Sequence, residues 1–117
     1  MRVLTVPRLI LATLAAAIAL ASAPARADEL AEAGKLLRAG QHLQAMERVN
    51  KVLAGKPTDP QARFLKGVIY AEQGDSRAAI AVFQKLTEDY PELPEPYNNL
   101  AVVYATQGQY DKARVAL

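Results

Sequence analysis

Glycine recurs at Gly40, Gly74 and Gly108, and the interval of 34 residues is kept by a second series, Ala45, Ala79 and Ala113, and a third, Ala33, Gly67 and Ala101. Leu36, Tyr70 and Tyr104 follow the third series by three residues, and Pro57 and Pro91 mark the repeat ends. The last two copies also agree at Pro60/Pro94, Val68/Val102, Ala71/Ala105 and Gln73/Gln107, where chance would supply roughly two matches over the whole overlap. The first copy matches at fewer places, Lys51/Lys85 among them, but needs no insertion to stay in phase. A unit of this length is one helical hairpin, and it buries its apolar face by stacking on copies of itself.

Within each copy the apolar residues follow helical spacing, best seen in Phe64, Leu65, Val68, Ile69 and in Ala79, Ile80, Phe83, Leu86, so each helix carries one buried stripe. The expected helices cover residues 29–39, 42–54, 60–73 and 76–89, with another from Pro94 and a short last one after Gly108. Gly40 and Gly55 stand just past helix ends, where a left-handed glycine closes a helix without a Cβ clash. Asp59 with Pro60 is a helix start, a capping side chain followed by a residue that lacks the N–H left unpaired there. Asp75 is expected to cap in the same way. The small residues at 33, 67 and 101, and at 45, 79 and 113, stand where paired helices cross, and Val49, Tyr70, Phe83 and Tyr104 are expected to fill the space between hairpins.

A different kind of segment precedes the repeats. Arg2 and Arg8 begin it, residues 9–21 are an unbroken Leu, Ile and Ala run apart from Thr13, and Ala25-Arg26-Ala27 follows. A basic start, a short apolar run and a small-x-small end make a secretory leader cleaved after Ala27. The run is too short to span hydrocarbon, which needs roughly 20 residues, so no stable membrane insertion is expected after cleavage. No cysteine is available for lipid attachment. The division is therefore a signal peptide over 1–27, repeats over 28–59 and 60–93, and an incomplete third over 94–117. The expected location is periplasmic or secreted.

Cleavage takes Arg2, Arg8 and Arg26 out of 14 basic residues and leaves 11 against 12 acidic ones, a formal charge of −1. The basic character belongs to the leader. No basic stripe remains for nucleic acid. Without cysteine, the exported domain has no disulfides and stands on packing alone.

No catalytic set assembles. His42 and Ser76 are the sole histidine and serine after the leader and occupy equivalent turns one repeat apart, about 10 Å by the spacing of packed helices, beyond the reach of a nucleophile and its base. His42 lacks a second histidine or thiolate for a metal. Glu88, Asp89, Glu92 and Glu95 lack calcium-loop spacing. The expectation is a non-enzyme with no cofactor and no metal.

The stretches 62–75 (ARFLKGVIYAEQGD) and 97–113 (YNNLAVVYATQGQYDKA) resemble the tetratricopeptide repeat, and the resemblance extends over residues 28–117. It implies an all-α solenoid of antiparallel helix hairpins whose first helices line a concave face. The groove positions it implies are Leu30, Gly34, Leu37 and Arg38 in the first copy. In the second they are Gln61, Phe64, Val68, Ala71 and Glu72, and in the third Glu95, Asn98, Val102, Ala105 and Thr106. The sequence departs from the family where a large aromatic is usual, at Glu29 and Arg63, and where a leucine is usual, at Glu32 and Lys66. Tyr97 and Leu100 satisfy both in the third copy. Leu30, Gly34, Leu65 and Glu95 stand where a carboxylate-clamping groove would need basic and amide side chains.

The leading reading is a scaffold that binds a protein or peptide partner in the bacterial cell envelope, with a peptide or helix in the concave face. Two alternatives stand beside it. One is the amino-terminal segment of a longer envelope enzyme, acting near peptidoglycan, with its catalytic domain beyond Leu117. The other is a self-assembly module in which the unfinished third hairpin stacks on a second copy. Because the chain closes on Val115-Ala116-Leu117 without a polar cap, it is expected to be a fragment of a longer protein.

Overall fold

A computed structural model describes residues 25–117. Among these residues there are six helices and no strand. Helix α1 covers residues 25–38, followed by α2 (His42–Gly55), α3 (Pro60–Glu72), α4 (Ser76–Asp89), α5 (Pro94–Thr106) and α6 (Tyr110–Ala116). They pair as three antiparallel hairpins. None of the described helices is long and apolar enough to cross a membrane. Residues 1–24 of the expected leader over 1–27 lie outside the described residues, while Ala25, Arg26 and Ala27 form the first described turn of α1.

One turn is built three times. Gly40, Gly74 and Gly108 adopt φ of +76°, +78° and +74°. Each glycine N–H donates back to the carbonyl three residues earlier, at 3.0 Å (Leu37, Ala71, Ala105), and the next residue donates to the carbonyl five earlier, at 2.9 Å (Leu36, Tyr70, Tyr104). This pair of bonds is the Schellman closure, which satisfies carbonyls that a helix end otherwise leaves open. The residue after each glycine is already the cap of the next helix. Asp75 accepts from Ala78 N–H at 3.2 Å there.

The connections between hairpins work differently. Lys56 (φ −141°, ψ 88°) and Tyr90 (φ −135°, ψ 69°) are extended, as the prolines after them require. Gly55, expected to take the left-handed conformation, does not: it is the last residue of α2, and Lys56 closes that helix by donating to the Val52 carbonyl at 2.9 Å. Pro57 ends the helix by restricting Lys56, so no special glycine is needed. Asp59 then caps α3 through Ala62 N–H at 3.1 Å, with Pro60 at the start of the helix. Leu93, at the equivalent place before α5, makes no side-chain cap.

The core runs along the hairpin crossings. Leu30, Ala33, Ala45, Val49, Val52, Ala62 and Ile69 form one cluster, and Ala79, Phe83, Leu86, Leu100 and Val103 a second. Tyr70 and Tyr104 pack half-buried against the second cluster. At the departures from the family pattern the helices of a hairpin are tied by charge. Glu29 accepts from Arg48 at 3.3 Å and lies 4.0 Å from Lys51. Arg63 donates to Asp89 at 2.8 Å, and Lys85 lies 3.4 Å from the same carboxylate. Arg63 first, then Lys85, holds the Asp89 carboxyl below its ordinary range. The chain thus uses cation and carboxylate where an aromatic side chain is usual.

Candidate functional site

The direction of curvature decides which face is available. The first helices α3 and α5 touch, whereas the second helices α2 and α4 do not, so the stack bends with its first helices inside. Two depressions open between these helices and share Gln61 and Phe64. One, of about 590 Å³, lies between α1 and α3 and is walled by Leu30, Gly34, Lys35, Arg38 and Leu65. The other, of about 420 Å³, lies between α3 and α5, walled by Pro60, Leu93, Glu95 and Pro96 over buried Leu86. Phe64 is fixed between them by its ring contact with Phe83, centroids 5.8 Å apart and planes tilted by 48°.

The structure therefore brings Leu30, Gly34, Arg38, Gln61, Phe64 and Glu95 to the walls of this surface. Leu30 contributes little, because it belongs to the core and is 8 % exposed. Leu37, Val68 and Ala71 pack half-buried against the core clusters. Glu72, Asn98, Val102 and Thr106 are exposed, and Ala105 is half-buried, but none of these lines either depression. Thr106 turns its hydroxyl onto the Val103 carbonyl at 2.7 Å.

Arg26 is the residue that sequence reasoning missed. It donates from Nε to Asp59 Oδ2 across 33 residues of chain, and it borders both depressions and a third of about 540 Å³ lined by Glu29, Lys51, Val52 and Lys56. The Asp59 side chain beneath it is wholly buried. The Arg26 hydrogen bond holds the Asp59 carboxyl below its ordinary range against the opposing effect of burial, with the Ala62 N–H helping in the same direction. The same bond raises the Arg26 guanidinium. No local pattern in the sequence signals this pairing, because Arg26 falls in the expected leader and Asp59 reads as an ordinary helix cap.

His42 and Ser76 are the first residues of α2 and α4. Among the described residues, no group of three or more His, Cys, Asp or Glu side chains comes together that could hold a metal ion. The surface offers shape, an aromatic ring, amides and charges, which are the materials of recognition.

A comparison with family profiles matches the tetratricopeptide repeat over residues 36–97 and again over 70–117. The chain belongs to the tetratricopeptide-repeat family. Such repeats generally mediate protein–protein interaction and typically serve as non-enzymatic scaffolds. A search of curated proteins found no match.

Proposed function

We propose that this chain is an exported adaptor of the bacterial cell envelope, which docks a peptide or helix of its partner on the face formed by α1, α3 and α5. The observation that carries the reading is the position of Phe64, held between two open depressions by its contact with Phe83. A ring already fixed loses little freedom on docking, so little ordering entropy opposes capture. Exposed Gln61 beside it can pair with backbone amides of an extended segment.

Export is supported by Arg2, Arg8, the apolar run over 9–21 and Ala25-Arg26-Ala27. A peptidase takes its substrate extended, whereas residues 25–27 are helical in the folded chain. Cleavage after Ala27 therefore precedes closure of the first hairpin, as expected for a chain exported unfolded.

A photo-crosslinking side chain at position 64, compared with one at exposed Ala81 on α4, tests the groove. Discrete adducts with an envelope protein are expected from position 64 alone, and identical patterns from both positions would remove the assignment. Mass measurement of the chain recovered from the envelope fraction tests export: it should begin at Asp28, and an uncleaved cytoplasmic product would overturn it.

A further inference from the structure

Asp59, the cap of α3, is the buried charge among the described residues. Its side chain is 0 % exposed, and its two oxygens have separate duties. Oδ1 accepts the Ala62 N–H at 3.1 Å, which starts α3, and Oδ2 accepts Arg26 Nε. A carboxylate out of water is strongly disfavoured unless such partners are supplied. Of the two, only Ala62 belongs to the repeats. Cleavage after Ala27 would take Arg26 away from Asp59 and from the three depressions that it borders.

We propose that in the processed chain Asp59 binds an arginine side chain of the partner polypeptide, in the place that Arg26 holds in the folded full chain, and so sets what the groove selects. This rests on the groove reading above. The precedent is Arg26 itself, an arginine seated on this carboxylate. Glu95 borders the depression alongside, while Lys51 and Lys56 line one neighbouring depression and Lys35 and Arg38 the other, with Lys56 the other cation acting on Asp59. The apolar surfaces of Phe64, Leu93 and Pro96 line the depression alongside. A guanidinium suits such a place better than an ammonium, because it donates in a fixed fork while its weakly hydrated faces rest on apolar side chains.

The test uses the full chain with Arg26→Ala, which frees Asp59 without requiring cleavage and leaves the Ala62 cap in place. The probes are the acetylated, amidated tripeptide Ala-Arg-Ala and its citrulline counterpart, which keeps the shape and loses the charge. The readout is the amide resonance of Ala62, which reports on the Asp59 carboxylate. A saturable shift with the arginine peptide is expected. Binding should be about tenfold weaker or more for the citrulline peptide, as loss of a charge-assisted hydrogen bond implies, and for Arg26→Ala/Asp59→Asn, whose amide oxygen can still cap α3. The unaltered chain should respond more weakly than Arg26→Ala, because Arg26 competes. No saturable shift, or equal affinity for both peptides, overturns the proposal. Should the double variant fail to fold, the citrulline comparison alone decides. Adducts that persist from position 64 with no arginine dependence would sink this proposal and leave the groove reading standing.

Discussion

Gly67 on α3 and Phe83 on α4 approach so closely that a Cβ added at 67 would lie 2.6 Å from Phe83 Cε1 and 2.8 Å from Cζ. Both residues are buried, Phe83 completely. One repeat earlier the same two places hold Ala33 and Val49, also buried. The two hairpins thus share out the volume at their crossing differently, glycine with phenylalanine in one and alanine with valine in the other.

Gly67→Ala is therefore expected to destabilise the protein by about 1–3 kcal/mol through overpacking, although alanine is the better helix former by about 1 kcal/mol. In a Phe83→Val background the same substitution should become neutral or stabilising. Urea unfolding of the four-member cycle measures this, and simply additive effects would show that the two side chains do not share one space.

Two glycines at helix ends should respond with opposite sign. Gly74 has φ of +78° with open space around its absent Cβ, so Gly74→Ala carries a backbone cost of about 1–2 kcal/mol, and Gly74→Asn a smaller one. Gly55 is helical and also unobstructed, so Gly55→Ala should stabilise by about 0.5–1 kcal/mol. Thermal unfolding distinguishes them; a loss at both positions would contradict the assigned Gly55 conformation.

The full chain should lose stability in acid partly through Asp59. Its folded-state carboxyl is held low by Arg26 and by the Ala62 N–H. The stabilisation is then fully present above the unfolded value, near 4, and is lost as pH falls through the folded one. Asp59→Asn should flatten this acid limb without abolishing it, because Arg63 and Lys85 hold Asp89 low as well. Melting temperatures followed from neutral to acid pH test this, and an unchanged slope in Asp59→Asn would exclude Asp59 as a contributor.

Phe64→Glu should cut partner capture while the stack stays folded. Phe64 is half-buried, and the carboxylate would stand in a depression that Glu95 already borders. Helix content by circular dichroism should be retained while pull-down of the partner identified by crosslinking falls. Undiminished recovery would place the docking surface elsewhere.

By itself the sequence determined everything that a few neighbouring residues can enforce. The three glycine turns, the caps at Asp59 and Asp75 and the extended Lys56 and Tyr90 rest on hydrogen bonds spanning three to five residues or on the ring of the next proline. Their signals repeat in phase along the chain. Only the tertiary structure decided that Leu30 belongs to the core while it borders the groove, that Glu29 and Arg63 tie their hairpins by charge, and that Arg26 reaches Asp59. Those outcomes depend on how α1 lies against α2 and α3, how α3 lies against α4, and on side chains brought together from about twenty to thirty residues apart, and no local periodicity encodes such distances.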